Sequence, residues 1–528
     1  MNRKPKHIIV IGAGVAGLSA AIYARKLGYA TDLYEKNPIP GGECTGWDRG
    51  GCHIDNCIHW LIGTAPGTEL NNLYRETRLL DERTDIYRYP VMYTSYMGGE
   101  HVSLYPNIEQ TRKEWKALSP QDSGEIDALM DASRLGMNIC IPAGLPGEML
   151  GAINGTKLLL ASRSMFSLMK RYKGMSTQDL VDRFKHPLLK ACISDFCPKE
   201  SKAESFATMY GNYAGGDGGV PVGGSQKAAR RMQERFVKLG GVYHGASPVT
   251  RIVVENGKAP GIVLSDGSFV PADYIIPACD ADFTFSHLLD ASYMPQKIRE
   301  YFDNPKKYVI YGMFQAAWLV DSPQAPFGIE AMIDVPELKT ESWLNDRLTR
   351  RGYAYEPSFA PPGKQIVQVL WGCSHDAWKF WENLSEEAYK TKKNELAHAV
   401  QAMIEQRFPA YSGKLTLLDS WTNRTYAKWC NAHDGYNQAC IMTKETDPRK
   451  DYPTPYLKNL SNVVLAGQWM SPPGGIPGSC VSGKFAAIRV DHLAHRKRDA
   501  AKKLLFRYVL PAAVIILLIR LCSLLPPA

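Results

Sequence analysis

The stretch His7-Ile-Ile-Val-Ile11, followed at once by Gly12-Ala-Gly-Val-Ala-Gly17 and then by Leu18 to Leu27, decides the fold. After His7, four apolar and β-branched residues predict a strand buried in a parallel sheet. The Ala-rich run from Leu18 has the composition of a closely packed helix. A second strand, Ala30 to Tyr34, ends at Glu35, 21 residues after Gly14. The three glycines serve different purposes. Gly12 allows the tight turn, Gly14 the close approach of a pyrophosphate, and Gly17 the packing of the helix on the strand. The free N–H groups and positive dipole end of the helix suit phosphate, and the Glu35 carboxylate suits ribose hydroxyls. Strand, glycine turn, helix, second strand and terminal acid together specify a dinucleotide site.

Outward from this unit, the chain is too long at 528 residues for one ordinary core, so more than one domain is expected. A hydrophobic share of 45% with 22% charged residues fits a globular enzyme and excludes a disordered, collagen-like or polytopic membrane chain. The net charge is 62 − 53 = +9, and Arg496, Lys497, Arg498, Lys502, Lys503 and Arg507 against Asp499 supply +5 of it. The remainder is near neutral, which argues against a nucleic-acid-binding face. Twelve scattered cysteines without a C-x-x-C pair fit neither a disulfide scaffold nor a common zinc site, so no metal is expected. Basic Arg3, Lys4 and Lys6 lead straight into His7–Ile11, which is only a strand long, so no signal peptide is expected.

Three further stretches matter. Pro40-Gly41-Gly42 and then Asp48-Arg49-Gly50-Gly51-Cys52-His53-Ile54-Asp55 follow Glu35. Near the far end, Asn462 to Gln468 reads as a strand ending at Gly467. It runs into the Gly/Pro loop Trp469 to Gly478, with Ser482 to Ala487 expected to open a helix. Between them, Pro248 to Pro277 holds short strands with Asn256-Gly257 and Asp266-Gly267 turns. On these residues the chain resembles the flavin-dependent amine oxidase and phytoene desaturase superfamily, closest in motif style to phytoene desaturases and carotenoid isomerases. The matching blocks cover about 7–60, 218–285 and 420–490.

The resemblance implies FAD as cofactor, contacted by Gly12, Gly14, Ala16, Gly17, Glu35, Lys36, Gly41, Gly42, Val249, Gly467, Gln468, Gly475, Ile476 and Pro477. Many members carry Arg after the paired glycines; here the residue is Glu43, so a side-chain contact to the flavin from that position is not carried over. The implied architecture is α/β. A Rossmann-type FAD-binding domain is built from 1–100, 218–289 and 416–495. An inserted α+β substrate domain comprises 101–217 and 290–415. A basic linker and a membrane anchor helix follow in 496–528.

The intervening segments match loosely, and the substrate is not readable from them. Aromatics in 301–318, 371–381 and 421–436 are either tunnel lining for a long apolar substrate or ordinary core. His59, just after Asp55, is either an acid/base group or a hydrogen-bonded structural histidine. Ser119 and Ser176 read as helix caps, and Gly215-Gly-Asp-Gly-Gly219 reads as a loop. A single dinucleotide fingerprint disfavours a dedicated NAD(P)H domain, so electrons are expected to pass to an acceptor such as oxygen or a quinone.

Tyr508 to Leu525 is a nearly continuous apolar run broken by Pro511 and Arg520. As a helix of eighteen residues it would extend about 27 Å, marginal against a hydrocarbon core of roughly 30 Å. With the basic stretch before it, it reads as an anchor on the cytoplasmic face of a membrane, or else as a helix packed on the protein.

The expected activity is hydride transfer at C–C bonds of an isoprenoid, carotenoid-like or other lipophilic unsaturated molecule. The alternatives are a redox-neutral isomerase or saturase on reduced FAD, an amine oxidase, and a non-catalytic flavin-binding membrane partner.

Overall fold

The computed structural model describes residues 5–322 and 330–504. Its organising layer is a six-stranded sheet in the order Val242–His244, Ala30–Tyr34, His7–Ile11, Tyr274–Pro277, Leu460–Val464 and Tyr456–Leu457. The first five strands are parallel and the last is antiparallel. His7–Ile11 pairs on both sides, which is why it is apolar throughout: Ile8, Ile9 and Val10 are fully buried.

Helix Val15–Lys26 packs against the 30-residue helix Gly475–Leu504. Their axes approach closely because a Cβ on Gly483 would stand 2.0 Å from the Ala16 carbonyl oxygen. A meander of Val249–Glu255, Lys258–Leu264 and Phe269–Pro271 lies beside this layer, with Asn256 and Gly257 both at positive φ in its first turn.

A seven-stranded, mostly antiparallel sheet forms the second layer, in the order Leu415–Trp421, Gly312–Val320, Gln365–Cys373, Arg347–Gly352, Glu330–Asp334, Tyr93–Met97 and Glu100–Leu104. One face packs with helix Glu386–Arg407 in a core of Phe314, Trp318, Val367, Trp371 and Val400. The other face carries Gln315 and Gln368 toward the Asp55–Asn56 strand end: the Gln368 side-chain amide donates to the Asp55 carbonyl at 2.9 Å. Helices between Ile108 and Ala214 close one side.

Four expectations change. Strands Tyr93–Met97 and Leu415–Trp421 belong to the second sheet, so the boundaries at 100 and 416 move; strand pairing joins them to partners far away in the chain. Gly218–Pro221 is a strand, not a loop, because it is sandwiched between Leu61–Ile62 and Ile86–Tyr87. The last helix starts at Gly475, not Ser482; Pro477, in its first turn, needs no N–H partner there. That helix continues to Leu504, so 496–504 is helix, not linker. Among the described residues no helix is long and apolar enough to cross a membrane, and Tyr508 to Leu525 lies outside the described residues.

Candidate functional site

The carboxyl ends of the central parallel strands converge on one crevice. Gly12 sits at φ +94° and donates its N–H to the Tyr34 carbonyl at 2.8 Å, closing the turn. Gly17 is required by packing, since a Cβ there would fall 1.8 Å from the Gly12 carbonyl oxygen. Gly14 differs in kind. It has φ −66° and ψ 175°, and a Cβ would meet nothing closer than the Gly41 carbonyl oxygen at 3.9 Å. The space over Gly14, at the N-terminus of Val15–Lys26, is open.

Gly41 and Gly42 form the facing wall. The Gly41 N–H donates to the Ala13 carbonyl at 2.9 Å, both glycines take positive φ, and a Cβ on Gly42 would lie 3.3 Å from the Gly14 Cα. Across the crevice, Gly467 at φ +130° hydrogen-bonds through its N–H to Ser482 Oγ at 3.1 Å. Its Cβ position lies 3.7 Å from the Cys279 carbonyl oxygen, while that of Gly12 lies 3.3 Å from the Cys279 N. Residue 279 is thus the wedge that sets the two glycine loops side by side. Gln468 opens a short 3-10 turn, then Gly475, Ile476 and Pro477 begin the last helix. Two helix N-termini therefore edge this crevice, a donor-rich and electropositive setting.

Glu35 points into this frame. Its Oε2 accepts from the Ala13 N–H at 2.7 Å and its Oε1 from the Asn37 N–H at 2.9 Å. Burial pushes its pKa up, and these amides pull it back. Each oxygen keeps a lone pair for a ribose hydroxyl. Val249 lies just beyond Ser247, whose N–H donates to the Glu35 carbonyl at 2.8 Å. Lys36 turns away: its ammonium bonds the Lys428 carbonyl at 3.0 Å and the Asn431 side chain, capping helix Asn423–Cys430. Open space above Gly14, a donor-lined turn and an acid at the second strand end are what an ADP-ribose half needs, so the residues present fit FAD.

Several groups at the site take their environment from the fold rather than from neighbours in sequence. The carboxyl of Glu43 is held well above the usual carboxylate range by burial and by neighbouring Cys57 and Asp280. Asp280 accepts from the Trp469 indole N–H at 2.7 Å and is likewise pushed up by burial. Glu43 and Asp280 come from opposite halves of the chain, so only the fold unites them. Asp55 accepts from the Ser225 N–H at 2.7 Å and from its hydroxyl at 3.1 Å, and burial lifts it to about 6. Its position at the end of the Gly50–Asp55 segment is visible in the sequence; its partner is not. His59 is neutral because burial and the nearby Arg351 charge hold it well below the ordinary imidazole range, and among the described residues its buried Nε2 has no hydrogen-bond partner. Its carbonyl accepts from the Tyr89 hydroxyl at 3.0 Å, which anchors the wall of Tyr87, Tyr89, Tyr353 and Tyr355.

Comparison with known proteins agrees with this geometry. The family model for flavin-containing amine oxidoreductases matches residues 15–491. A 4,4'-diaponeurosporene oxygenase of Staphylococcus aureus is 23% identical over 506 residues, covering 92% of this chain and 98% of its own. A 4,4'-diapophytoene desaturase (4,4'-diapolycopene-forming) of Methylomonas sp is 21% identical over 515 residues, covering 93% and 96%. Among solved structures, putrescine oxidase bound to putrescine superposes with a TM-score of 0.58 at 15% identity, over 92% of this chain and 99% of that one. An oxidoreductase from Methanosarcina mazei gives 0.56 at 18%, over 90% and 98%. At these identities the structural likeness shows the fold.

Proposed function

The chain belongs to the family of flavin-containing amine oxidoreductases and is an FAD-dependent oxidoreductase, and from that premise we propose that it acts on C–C bonds of an isoprenoid, carotenoid-like or other lipophilic unsaturated substrate. The observation that carries this reading is the reach of the similarity to the diaponeurosporene oxygenase and the diapophytoene desaturase. It runs through the inserted segments as well as the glycine loops, over nearly all of each chain. When bound, FAD takes up or returns a hydride.

The chain's own residues supply binding, orientation and exclusion of water. The N-termini of Val15–Lys26 and Gly475–Leu504 would hold the phosphates, Glu35 would accept from the ribose, and Gly41 and Gly42 would let the backbone come close. Glu43 and Asp280, driven toward the neutral acid by burial, keep uncompensated negative charge out of the crevice. Desaturation releases a proton as well as a hydride, and neutral His59, whose Nε2 has no hydrogen-bond partner among the described residues, is the base proposed to take it. The tail from Tyr508 would hold the enzyme on the cytoplasmic face of a membrane, near lipid-soluble substrate and an acceptor such as quinone, with oxygen the alternative.

The test is anaerobic mixing of the flavin-loaded protein with fractionated lipid extract and, separately, with primary and secondary amines. Bleaching of the oxidised flavin by a lipid fraction alone supports the reading. Bleaching by amines alone turns it to amine oxidation, the chemistry named for the putrescine oxidase fold neighbour. Conversion of lipid only with pre-reduced flavin, without net redox change, assigns an isomerase or, with reduction, a saturase. Binding without turnover in any arm leaves a flavin-binding partner.

A further inference from the structure

Single exposed apolar side chains are ordinary on a protein surface, whereas a concentration of them is not. Eleven large hydrophobic residues are exposed among the described residues, and six of them fall between 137 and 169: Met137, Leu145, Leu159, Leu160, Phe166 and Met169. The strongest, Leu159 at 58%, Leu160 at 56% and Phe166 at 50%, sit on the successive helices Ala152–Ala161 and Arg163–Arg171. The inner face of this pair is already satisfied: Leu168 and Tyr172 are buried, and Arg163–Arg171 packs on helices Ser123–Gly136 and Glu204–Ala214. On Arg163–Arg171, Arg163, Phe166 and Lys170 follow at i, i+3 and i+7, the spacing of one helical face, and all three are exposed, as is Leu159 on the helix before.

Charge on this surface has one sign. From 149 to 178 there is no acidic residue, while Lys157, Arg163, Lys170, Arg171 and Lys173 are all basic. Among the described residues none of the five is paired with a carboxylate. Exposed leucine and phenylalanine interleaved with cations that lack acidic partners is the composition of a surface that lies in a lipid interface, with acyl chains for the former and phosphates for the latter. A protein partner of the same affinity would need acids to match, and would leave the cations no role if it were apolar.

The surroundings place the entry to this surface beside the last helix, Gly475–Leu504. The segment entering it is fixed to the last helix twice: Lys484 Nζ donates to the Ala143 carbonyl at 2.6 Å, and Arg489 pairs with Glu148 at 2.6 Å. From Arg489 that helix runs on to Leu504, and the sequence continues through Arg507 into the apolar run.

We propose that the outer face of 152–171 docks on the surface of an anionic bilayer, seating Leu159, Leu160, Phe166 and Met169 among the lipids and the five cations on their phosphates. This contact belongs to the folded body and stands apart from the tail and from the identity of the substrate.

The full-length, flavin-loaded protein carries the test. Leu159→Cys, in a background with exposed Cys140 and tail Cys522 replaced by serine, is labelled with an environment-sensitive fluorophore; Val237→Cys, exposed elsewhere, serves as control. Vesicles of phosphatidylcholine with phosphatidylglycerol should shift the Leu159 label to the blue and expose it to lipid-borne quenchers, with no change at Val237. Raised salt should reverse the shift. The double variant Leu159→Asp, Phe166→Asp, with flavin content unchanged, should lose at least tenfold in vesicle affinity or, if the tail still holds it, lose hydrogen-exchange protection of 152–171. A label that stays aqueous on vesicle-bound protein overturns the proposal. A shift that appears without vesicles and grows with protein concentration also overturns it, and assigns the face to self-association.

Discussion

Two glycines three residues apart should fail in opposite ways when given a side chain. At Gly17 a Cβ would stand 1.8 Å from the Gly12 carbonyl oxygen, a backbone atom that cannot step aside. Gly17→Val should therefore damage the fold itself. At Gly14 the backbone is extended, open to any residue, and the nearest atom to a Cβ is 3.9 Å away. The apoprotein of Gly14→Ala should be as stable as the parent or gain roughly 0.4–1 kcal/mol from a stiffer unfolded chain. What the side chain takes is the space for the pyrophosphate. Losing two hydrogen bonds to a charged group, at about 1.5–3 kcal/mol each, predicts for Gly14→Val a flavin affinity lower by about two to four orders of magnitude. The assay is paired: flavin released per mole of protein, and apoprotein melting after the cofactor is stripped. Full flavin occupancy in Gly14→Val would refute the placement of the phosphates. An apoprotein of Gly14→Ala destabilised by several kcal/mol would refute the claim that the space is empty of protein.

Glu35→Ala should keep its fold and bind FAD roughly ten- to a hundredfold more weakly or worse, at about 1.5–3 kcal/mol; equilibrium dialysis showing parental affinity would remove the carboxylate from the ribose. Asp451 is held down at about 2 by the Asp447 N–H and by Tyr308, Lys307 and Lys297. Because its folded pKa lies below the ordinary 3.8, its stabilisation is present above pH 4 and is lost as pH falls toward 2. The shift corresponds to about 2 kcal/mol, so Asp451→Asn should lower the melting temperature at pH 7 and flatten the acid limb of the stability curve; an unchanged acid limb would contradict the assignment. Deleting the residues after Arg498 should leave flavin bound while activity on vesicle-borne substrate falls, because tethering raises local concentration; a full-length protein that never sediments with membranes would end the anchor reading.

The legible parts of this chain are those whose physics is local. A tight turn, a close helix–strand packing and a carboxylate at the end of the next strand each leave a residue type at a fixed offset, so Gly12, Gly17 and Glu35 can be given roles from sequence. The last helix starts seven residues earlier than its sequence suggests because Gly474 and Gly475 resemble loop material, while their positive φ angles serve to turn the chain into the helix. Two outer strands of the second sheet escape a sequence reading because Tyr93–Met97 and Leu415–Trp421 find their place through partners remote in sequence. Glu43 and Asp280 are silent for the same reason. The place of Lys36 after Glu35 suggests a cofactor contact, but the helix end it caps lies almost 400 residues on.

The central sheet has a consequence for how the protein is made. Its parallel strands begin at residues 7, 30, 242, 274 and 460, and the helix that seals the first glycine turn starts at 475. On a ribosome adding about 5–20 residues per second, His7–Ile11 waits roughly a quarter of a minute to a minute for Tyr274–Pro277, its second neighbour. During that interval the nascent chain presents an apolar strand with one unpaired edge, the kind of surface that folding chaperones shield. No amino-terminal fragment that stops short of Gly483 has a complete cradle, so cofactor capture is a terminal event of synthesis. A ribosome-stalled series should show flavin retention switching on only once the chain past residue 490 has cleared the exit tunnel.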